Sequence, residues 1–441
     1  MTITPASGPP GPGPATDRRE ALRFSGLLGR PLADRTGESL GRLADVIVQL
    51  RGADYPLVKG LVAAVGGRDV FVPAGQVSDL EADPLRLSSA KLDLRRFERR
   101  DGEVLLRADV LGHRLIDVAN ARLVRAADLE LARDNGGWAL AGVDTRRRPR
   151  RLLGLLRPKA KAEDAQFRDW HDFEWLIGHA GSALLRGPFA RTRRLKPAQI
   201  ADLLEEASKE EETEILGHVH ADPELEADVF EELDEDQATR LLGARTNPDI
   251  AAVLSRMRAD DAADAIADLP QPRRQPVLDL LPAGQRAKVL TLLGYSATSA
   301  GGLMGMDYVT APTMATVAEA LEQVRQAATL QPEALTSVHA VDTDGGLRGV
   351  AHLVKLLQSP PGAALIDVSD TDPVRVSADT DVMDVAVLMT DYNLITIPVV
   401  DTERRLLGVI TVDDVLEVTL PEDWRRREAA EPPDSRYGDD R

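Results

Sequence analysis

Residues 397–418, IPVVDTERRLLGVITVDDVLEV, decide the fold of the C-terminal part of this chain. The apolar run at the start of this stretch predicts a strand, and the polar residues 401–405 predict a turn. Residues 406–411 predict a second strand, after which Val412 begins a helix with apolar side chains on one face. The stretch therefore reads as strand, turn, strand and helix.

A second copy of this pattern lies 59 positions earlier, in residues 338–357, VHAVDTDGGLRGVAHLVKLL. The copies align at Val341 and Val400, at Leu347 and Leu406, and at Gly349 and Gly408. A repeat at this period predicts two copies of one βαββα unit that pack as a pair.

The pair resembles tandem cystathionine-β-synthase (CBS) domains, and SAGGLM at 299–304 resembles the junction in the cytosolic part of MgtE-type magnesium transporters. The resemblance extends over about residues 195–420 and does not include a channel. It implies a multidomain α+β fold, with an α-helical superhelical domain at 195–298 and βαββα CBS units at 299–360 and 361–421.

The length and composition of the chain exclude several classes of function. The chain has 441 residues, enough for several domains, and no cysteine, which excludes disulfides and thiolate chemistry. No apolar run approaches the roughly 20 residues that a membrane span needs, and the N-terminal residues lack the apolar core of a signal peptide. No nucleophile and base arrangement is recognisable. We therefore expect a cytoplasmic protein that is not an enzyme.

Charge is divided unevenly along the chain. Residues 1–196 hold 34 Lys and Arg against 25 Asp and Glu, whereas the remainder holds 20 against 47. An acidic C-terminal part repels nucleic acid and attracts cations, and a basic N-terminal part could contact an anionic surface. The alternative is an ordinary solvated surface.

The N-terminal part predicts small β modules. Residues 1–20 predict a disordered leader, and residues 422–441 a charged tail. Residues 21–100 and, more weakly, residues 101–145 resemble PRC-barrel modules, small β-barrels that serve in docking or assembly.

Residues 146–194 predict a linker and a docking helix. RRRPRRLLGLLRPKAK at 146–161 has 8 basic residues in 16, and its prolines interrupt helices. FRDWHDFEW at 167–175 concentrates aromatic side chains and predicts an aromatic docking helix. Peripheral membrane contact is the alternative, and the interleaved carboxylates oppose it.

Residues 195–295 are predicted to form a helical solenoid. Prolines recur 26, 25 and 24 residues apart, at Pro197, Pro223, Pro248 and Pro272, each near a predicted helix start. Asp260 and Asp264 lie at i and i+4 on one helix face, where two carboxylates repel each other and a hydrated divalent cation would relieve the repulsion.

The resemblance implies that Mg²⁺ binds between the helical domain and the CBS pair. Asp260, Asp264, Asp414 and, with Glu replacing the family's Asp, Glu417 match the metal-binding positions. Mg²⁺ prefers oxygen ligands and keeps several waters, which suits these side chains. The alternative is a helix-capping Asp413 and Asp414 pair on a solvated face.

This chain departs from the family pattern at several acidic positions. Residues 296–299, SATS, stand where the family tends to have acidic side chains, and Met383 and Asn393 replace two further ligands. Asp384 and Asp391 lie close by and could compensate. Ion affinity and selectivity therefore do not carry over from the family.

Residues 408–414, GVITVDD, match the pattern by which CBS pairs bind adenine nucleotides such as ATP or AMP. The resemblance implies that the Thr411 hydroxyl contacts phosphate and that the Asp414 carboxylate accepts from the ribose. His352 and Lys355 replace these residues in the first copy, so at most one well-formed site is expected. Capping of the following helix by Thr411 or Asp413 is the structural alternative.

Three functions follow. The first is a regulatory Mg²⁺ sensor that controls metal-ion transport through a partner, for which a separately encoded membrane transporter is a candidate. The second is an adenine-nucleotide sensor, and the third is a passive scaffold. The resemblance also implies a homodimer formed through the CBS domains.

Overall fold

A computed structural model describes residues 21–51, 54–88, 95, 97–100, 102–134, 137–146, 166–176, 195–328 and 330–420. The predicted leader, most of the basic linker and the charged tail lie outside the described residues. The chain divides into two compact units, residues 1–225 and 226–441. Within the described parts, none of the helices combines the length and the apolar character needed to cross a bilayer.

The first unit is built mainly from short strands. Its strands are β1 (Ala21–Arg23), β2 (Pro31–Ala33), β3 (Ser39–Arg51), β4 (Asp54–Val65), β5 (Arg68–Pro73), β6 (Val77–Asp79), β7 (Leu85–Leu87), β8 (Glu103–Leu105), β9 (Arg114–Asp117), β10 (Arg122–Arg125), β11 (Asp128–Asp134), β12 (Gly137–Asp144), β13 (Arg168–Asp169) and β14 (Phe173–Trp175). A short helix, α1 (Phe24–Leu27), follows β1.

Eleven described strands of this unit form one sheet. Eight of them follow the order β1-β11-β12-β4-β3-β2-β7-β6, and the other three, β13, β5 and β8, pair with β12, β4 and β3. The long strands β3 and β4 are antiparallel, and β8 pairs with β3 while β12 pairs with β4. Strands from both segments, 21–100 and 101–145, therefore lie in one sheet, and side chains from both contribute to one hydrophobic core. The assignment of either segment to a PRC-barrel stays a prediction.

The aromatic segment 167–175 is not a helix, so the prediction of a docking helix was wrong. It forms β13, a 3₁₀ turn at Trp170–Asp172, and β14, which pairs with β9. Trp170, Phe173 and Trp175 lie in the core of the first unit. The 3₁₀ turn is only three residues long and Phe173 begins β14, so no helix face forms in this segment.

Two helices complete the first unit, α2 (Pro197–Glu206) and α3 (Lys209–Val219). Helix α2 packs against β10. Arg114 of β9 pairs with both carboxylate oxygens of Glu211 and also donates to the Glu206 carbonyl oxygen at 2.9 Å. The start of the predicted helical domain thus belongs to the first compact unit.

Helix α4 (Pro223–Glu231) spans the boundary between the units, and five helices follow it. They are α5 (Glu235–Gly243), α6 (Asn247–Leu254), α7 (Ala259–Asp268), α8 (Gln271–Leu278) and α9 (Ala283–Leu292). Pro197 and Pro223 are the first residues of their helices, and Pro248 and Pro272 the second, which confirms the prediction that each proline lies near a helix start. The missing proline N–H costs nothing there, because the first amides of a helix have no partner within it.

The junction 299–304 contains a short helix, α10 (Ala300–Leu303). Its amides bond to the second CBS unit: Ala300 N donates to Thr380 O at 2.7 Å and Gly301 N to Ala378 O at 2.8 Å. A Cβ atom on Gly302 would collide with the Ser296 carbonyl oxygen, so only glycine fits at this close approach.

The two CBS units have matching strands and helices, as the repeat predicts. The first contains β15 (Val309–Pro312), α11 (Val317–Gln326), β16 (Ser337–Val341), β17 (Leu347–His352) and α12 (Leu353–Gln358). The helix α13 (Leu365–Val368) leads to the second, which contains β18 (Val376–Ser377), α14 (Val382–Tyr392), β19 (Thr396–Val400), β20 (Leu406–Thr411) and α15 (Val412–Thr419). In each sheet a parallel pair of strands is followed by an antiparallel third strand.

The two sheets meet through equivalent residues. Leu347 N donates to Arg404 O at 2.8 Å, and Leu406 N donates to Gly345 O at 3.1 Å. Both members of each bond are 59 positions from their counterparts in the other bond. The repeat in the sequence thus appears as a pseudo-twofold contact in the fold.

Candidate functional site

An acidic cavity of about 660 Å³ lies in the second unit, between the helical segment and the second CBS unit. The acidic residues that line it are Glu231, Glu232, Asp234, Glu235, Asp236, Asp260, Asp261, Asp264, Asp268, Asp414 and Glu417. Arg258 is the one basic side chain among the described lining residues. Carboxylates are therefore in large excess over cations around this cavity.

Helix α7 supplies the two predicted ligands from the helical segment. Asp260 is 7% exposed, and its Oδ1 atom has no hydrogen-bond partner among the described residues. Burial, followed by the neighbouring carboxylate of Asp261, raises the pKa of Asp260. An unpaired, buried carboxylate oxygen is costly, so this atom is the clearest place for a cation or an ordered water.

Asp264 lies one turn along the same helix and faces the cavity. Loss of hydration, together with the nearby Asp261 and Asp268 carboxylates, raises the pKa of Asp264 to about 6. Glu231, at the end of α4, has its pKa raised to about 8 by burial and then by Asp261. The pKa values of these carboxyl groups rise for two reasons. The groups lose hydration, and they repel each other without enough positive charge nearby.

Arg258, the N-cap residue of α7, joins the helical segment to both CBS units. Its Nε donates to Asp261 Oδ2 at 2.6 Å, and its Nη1 donates to Asp414 Oδ1 at 2.8 Å and to Gln331 Oε1 at 3.4 Å. Burial alone would lower the pKa of Arg258, but Asp261, Asp260 and Asp414 outweigh it and raise the pKa.

Asp414 is buried at the start of α15 and is 5% exposed. Its Oδ2 accepts from Thr411 N at 3.0 Å and from Thr411 Oγ1 at 2.6 Å, which forms a capping box, and its Oδ1 accepts from Arg258. Thr411 is therefore the N-cap residue of α15, as one of the sequence alternatives predicts, and the Asp414 side chain accepts from its backbone N–H. The cap is buried and does not lie on a solvated face, whereas Asp413 is exposed.

The structure brings Asp260, Asp264, Asp414 and Glu417 to the same cavity. Their roles as ligands stay predictions. Within the described parts of the chain, no three acidic or histidine side chains converge closely enough to hold an ion directly. The carboxylates line the cavity without forming a closed coordination sphere, so an ion would have to keep much of its water.

The residues that depart from the family pattern have local explanations. Asn393 is the C-cap of α14 and has a φ of 51°, in the left-handed region that asparagine tolerates better than most residues. Met383 is exposed in the first turn of that helix, with 60% of its surface accessible. Asp384 and Asp391 are exposed and are not among the described residues that line the cavity.

Sequence reasoning missed Arg258, Asp261 and Glu231. The sequence does indicate the contact between Arg258 and Asp261, because these residues are spaced i, i+3 at a helix start, where such pairs meet. No sequence signal indicates the pairing of Arg258 with Asp414, which lies 156 positions away.

Comparisons with known proteins place two segments in families. Residues 195–298 match the model of the MgtE intracellular N domain, and residues 365–421 match that of the CBS domain. The magnesium transporter MgtE of Thermus thermophilus is 34% identical over 234 residues, covering 52% of this chain and 49% of that protein. The magnesium transporter MgtE of Bacillus subtilis is 25% identical over 228 residues, covering 52% and 50%. The chain spans about half the length of the curated relatives it matches.

Solved structures also align with this chain. The cytosolic domain of the Mg²⁺ channel MgtE in complex with ATP is 32% identical, with a TM-score of 0.48, and the alignment covers 51% of this chain and 91% of that one. The soluble part of a magnesium transporter is 24% identical, with a TM-score of 0.48, and covers 51% and 88%.

Proposed function

We propose that this chain, which carries an MgtE intracellular N domain and a CBS domain, is a Mg²⁺-responsive regulator of a separately encoded magnesium transporter. The observation that carries the proposal is the cavity where Asp260 and Asp264 of α7 meet Asp414 and Glu417 of α15. A cation in this cavity stabilises the arrangement in which the two helices lie together.

The donor set fits Mg²⁺. The acidic side chains of the cavity offer only oxygen ligands, and Asp260 Oδ1 is buried without a partner among the residues that the structure describes. Mg²⁺ is commonly held by one or two carboxylates while it keeps several waters, which suits a cavity of about 660 Å³ without a closed coordination sphere. Asp260 and Asp264 would bind it from α7, and Glu417 would complete the site from α15.

Regulation requires that the ion bind one arrangement better than another, because a ligand shifts an equilibrium only by its differential affinity. At about one hundred times its dissociation constant, an ion specific to the closed arrangement would stabilise it by roughly 2.7 kcal/mol. The relatives named magnesium transporters match this chain over about half of their own length, and the assignment of transport to a partner is part of the proposal.

Hydrogen exchange during a Mg²⁺ titration tests the proposal. We expect millimolar Mg²⁺ to slow amide exchange in α7 and α15 of the parent protein, and Asp260→Asn with Asp264→Asn to remove this effect. Asp279→Asn is the matched control, because Asp279 is exposed in the same helical segment and does not line the cavity. Equal protection in the parent and in the double variant, or no protection in either, would refute the proposal.

An adenine nucleotide is the second candidate ligand. Thr411 and Asp414 lie where β20 ends and α15 begins, as the nucleotide pattern in residues 408–414 requires. Their side chains bond to each other, and Asp414 also pairs with Arg258, so a nucleotide would have to replace these contacts. ATP in place of Mg²⁺ in the same experiment, with Thr411→Val as the variant, distinguishes this function. Protection by neither ligand would favour a passive scaffold.

A further inference from the structure

Arg258 places a positive charge of the protein itself inside the acidic cavity. Its guanidinium lies between Asp261 on its own helix and Asp414 on α15, at 2.6 and 2.8 Å. The Arg258 backbone N–H also donates to Glu231 Oε1 at 2.6 Å, which fixes the start of α7 against the end of α4. Hydrogen bonds therefore fix both the backbone and the guanidinium of Arg258.

Both carboxylate oxygens of Asp414 accept hydrogen bonds from protein groups. Asp414 Oδ2 accepts two bonds from Thr411, and Oδ1 accepts the bond from Arg258. Asp414 is also nearly inaccessible, with 5% of its side chain exposed. A divalent cation that bound Asp414 Oδ1 would have to compete with the guanidinium for that oxygen.

The carboxylate of Asp260 differs from that of Asp414 in its hydrogen bonding. Asp260 Oδ1 has no partner among the described residues, although it lies on the same helix two residues after Arg258. Arg258 thus forms hydrogen bonds with Asp261 and Asp414 but leaves Asp260 Oδ1 without a bond among the described residues.

We propose that Arg258 is a built-in cation that holds α7 against α15 in the absence of metal ions, and that a divalent cation reaches Asp414 only when the guanidinium is displaced. The first half stands on the contacts of Arg258 alone, and the second half rests on the proposed Mg²⁺ function. Arg258 would then lower the amount of Mg²⁺ that the closed arrangement needs.

The charge balance explains why the arginine matters. Removal of one member of a buried ion pair leaves the other member charged and unsolvated, which is strongly destabilising. Arg258→Met removes the charge and keeps a similar apolar stem, so Asp261 and Asp414 would repel each other across the contact. A hydrated divalent cation could then take the place of the guanidinium.

Hydrogen exchange of the full chain, in EDTA and in Mg²⁺, tests this proposal. In EDTA we expect amides of α7 and α15 to exchange at least tenfold faster in Arg258→Met than in the parent, and Mg²⁺ to restore most of the protection. Arg256→Met is the matched control, because Arg256 is exposed two residues earlier and does not line the cavity. This control is expected to behave like the parent.

A second variant distinguishes the loss of the Arg258 charge from general misfolding. Arg258→Met combined with Asp414→Asn removes both charges and keeps an oxygen that can accept from Thr411. We expect the double variant to exchange more slowly in EDTA than Arg258→Met alone and to gain less additional protection from Mg²⁺ than that single variant does. If Arg258 acts only through packing and not through its charge, amide exchange in EDTA should be as fast in the double variant as in Arg258→Met.

The outcomes separate the two proposals. Unchanged exchange of Arg258→Met in EDTA would overturn the role of Arg258, whatever Mg²⁺ does to the parent. Faster exchange in EDTA with rescue by Mg²⁺ supports both halves. Faster exchange without rescue, together with recovery in the double variant, leaves Arg258 as a metal-independent link and overturns its competition with an ion.

Discussion

A buried histidine in the first CBS unit shows how much one residue depends on its surroundings. His339 is fully buried in β16, and its Nδ1 atom is 3.2 Å from the Val309 carbonyl oxygen, to which it must donate. Its Nε2 atom has no partner among the described residues. Burial lowers the pKa of His339 to about 4, so the ring stays neutral in the folded protein at neutral pH.

The first prediction concerns the pH dependence of stability. The unfolded chain takes up a proton at His339 near pH 6.5 and the folded chain only near pH 4, so stability falls as pH decreases between these values. The loss would reach about 3 kcal/mol near pH 4, from the difference in pKa. We expect urea unfolding of His339→Leu to depend less on pH in this window. Equal pH slopes in the parent and the variant would contradict this account.

At the scale of elements, segment 166–176 is part of the core of the first unit. Arg168 pairs with the buried Asp117, and Tyr55 Oη donates to Asp169 Oδ2 at 2.6 Å. The Phe173 ring is fully buried, with the Arg168 guanidinium 4.8 Å from its centroid. The charged and aromatic side chains that suggest a peripheral membrane contact in the sequence therefore bond to and pack against residues of the first unit.

The second prediction tests this placement. Phe173→Ala is expected to destabilise the first unit by about 3–5 kcal/mol, because it removes a fully buried aromatic ring and leaves a cavity. Phe167→Ala is the control and should cost less than half as much, since Phe167 is only partly buried. Tryptophan fluorescence during urea unfolding measures both, because Trp138, Trp170 and Trp175 all lie in this unit. A peripheral docking segment would leave the stability of Phe173→Ala unchanged.

At the scale of the whole molecule, the CBS helices expose equivalent apolar side chains. Leu357 of α12 and Leu416 of α15 are 59 positions apart and are 67% and 47% exposed. Val354 lies one turn before Leu357 and is 65% exposed. Large apolar side chains exposed together on equivalent helices are typical of an interaction surface. They agree with the expectation of a homodimer formed through the CBS domains.

The third prediction follows from these helices. Leu357→Glu with Leu416→Glu is expected to convert a dimer into a monomer of 47.8 kDa, because charged side chains cannot be buried without partners. Light scattering after size-exclusion chromatography measures the mass. Met314→Glu is the control, since Met314 is 75% exposed but lies outside both helices. A parent protein that is already monomeric at micromolar concentration would contradict the prediction.

The sequence by itself determined the features that arise from neighbouring residues. The 59-residue repeat predicted both CBS units, and the spacing of Pro197, Pro223, Pro248 and Pro272 predicted where helices begin, because backbone geometry near a proline is a local property. The spacing of Asp260 and Asp264 likewise placed both side chains on one helix. The concentration of aromatic residues at 167–175 was misleading, because these residues form short strands and a 3₁₀ turn in the first unit.

The tertiary structure alone decided which charges meet. Arg258 and Asp414 are 156 positions apart, and their contact depends on the packing of α7 against α15. The tertiary structure also buries Asp260 and leaves its Oδ1 atom without a partner among the described residues, and it brings Arg258 to Asp414 Oδ1. An electrostatic interaction between distant residues depends on distance and solvent exposure, and neither is encoded in local patterns.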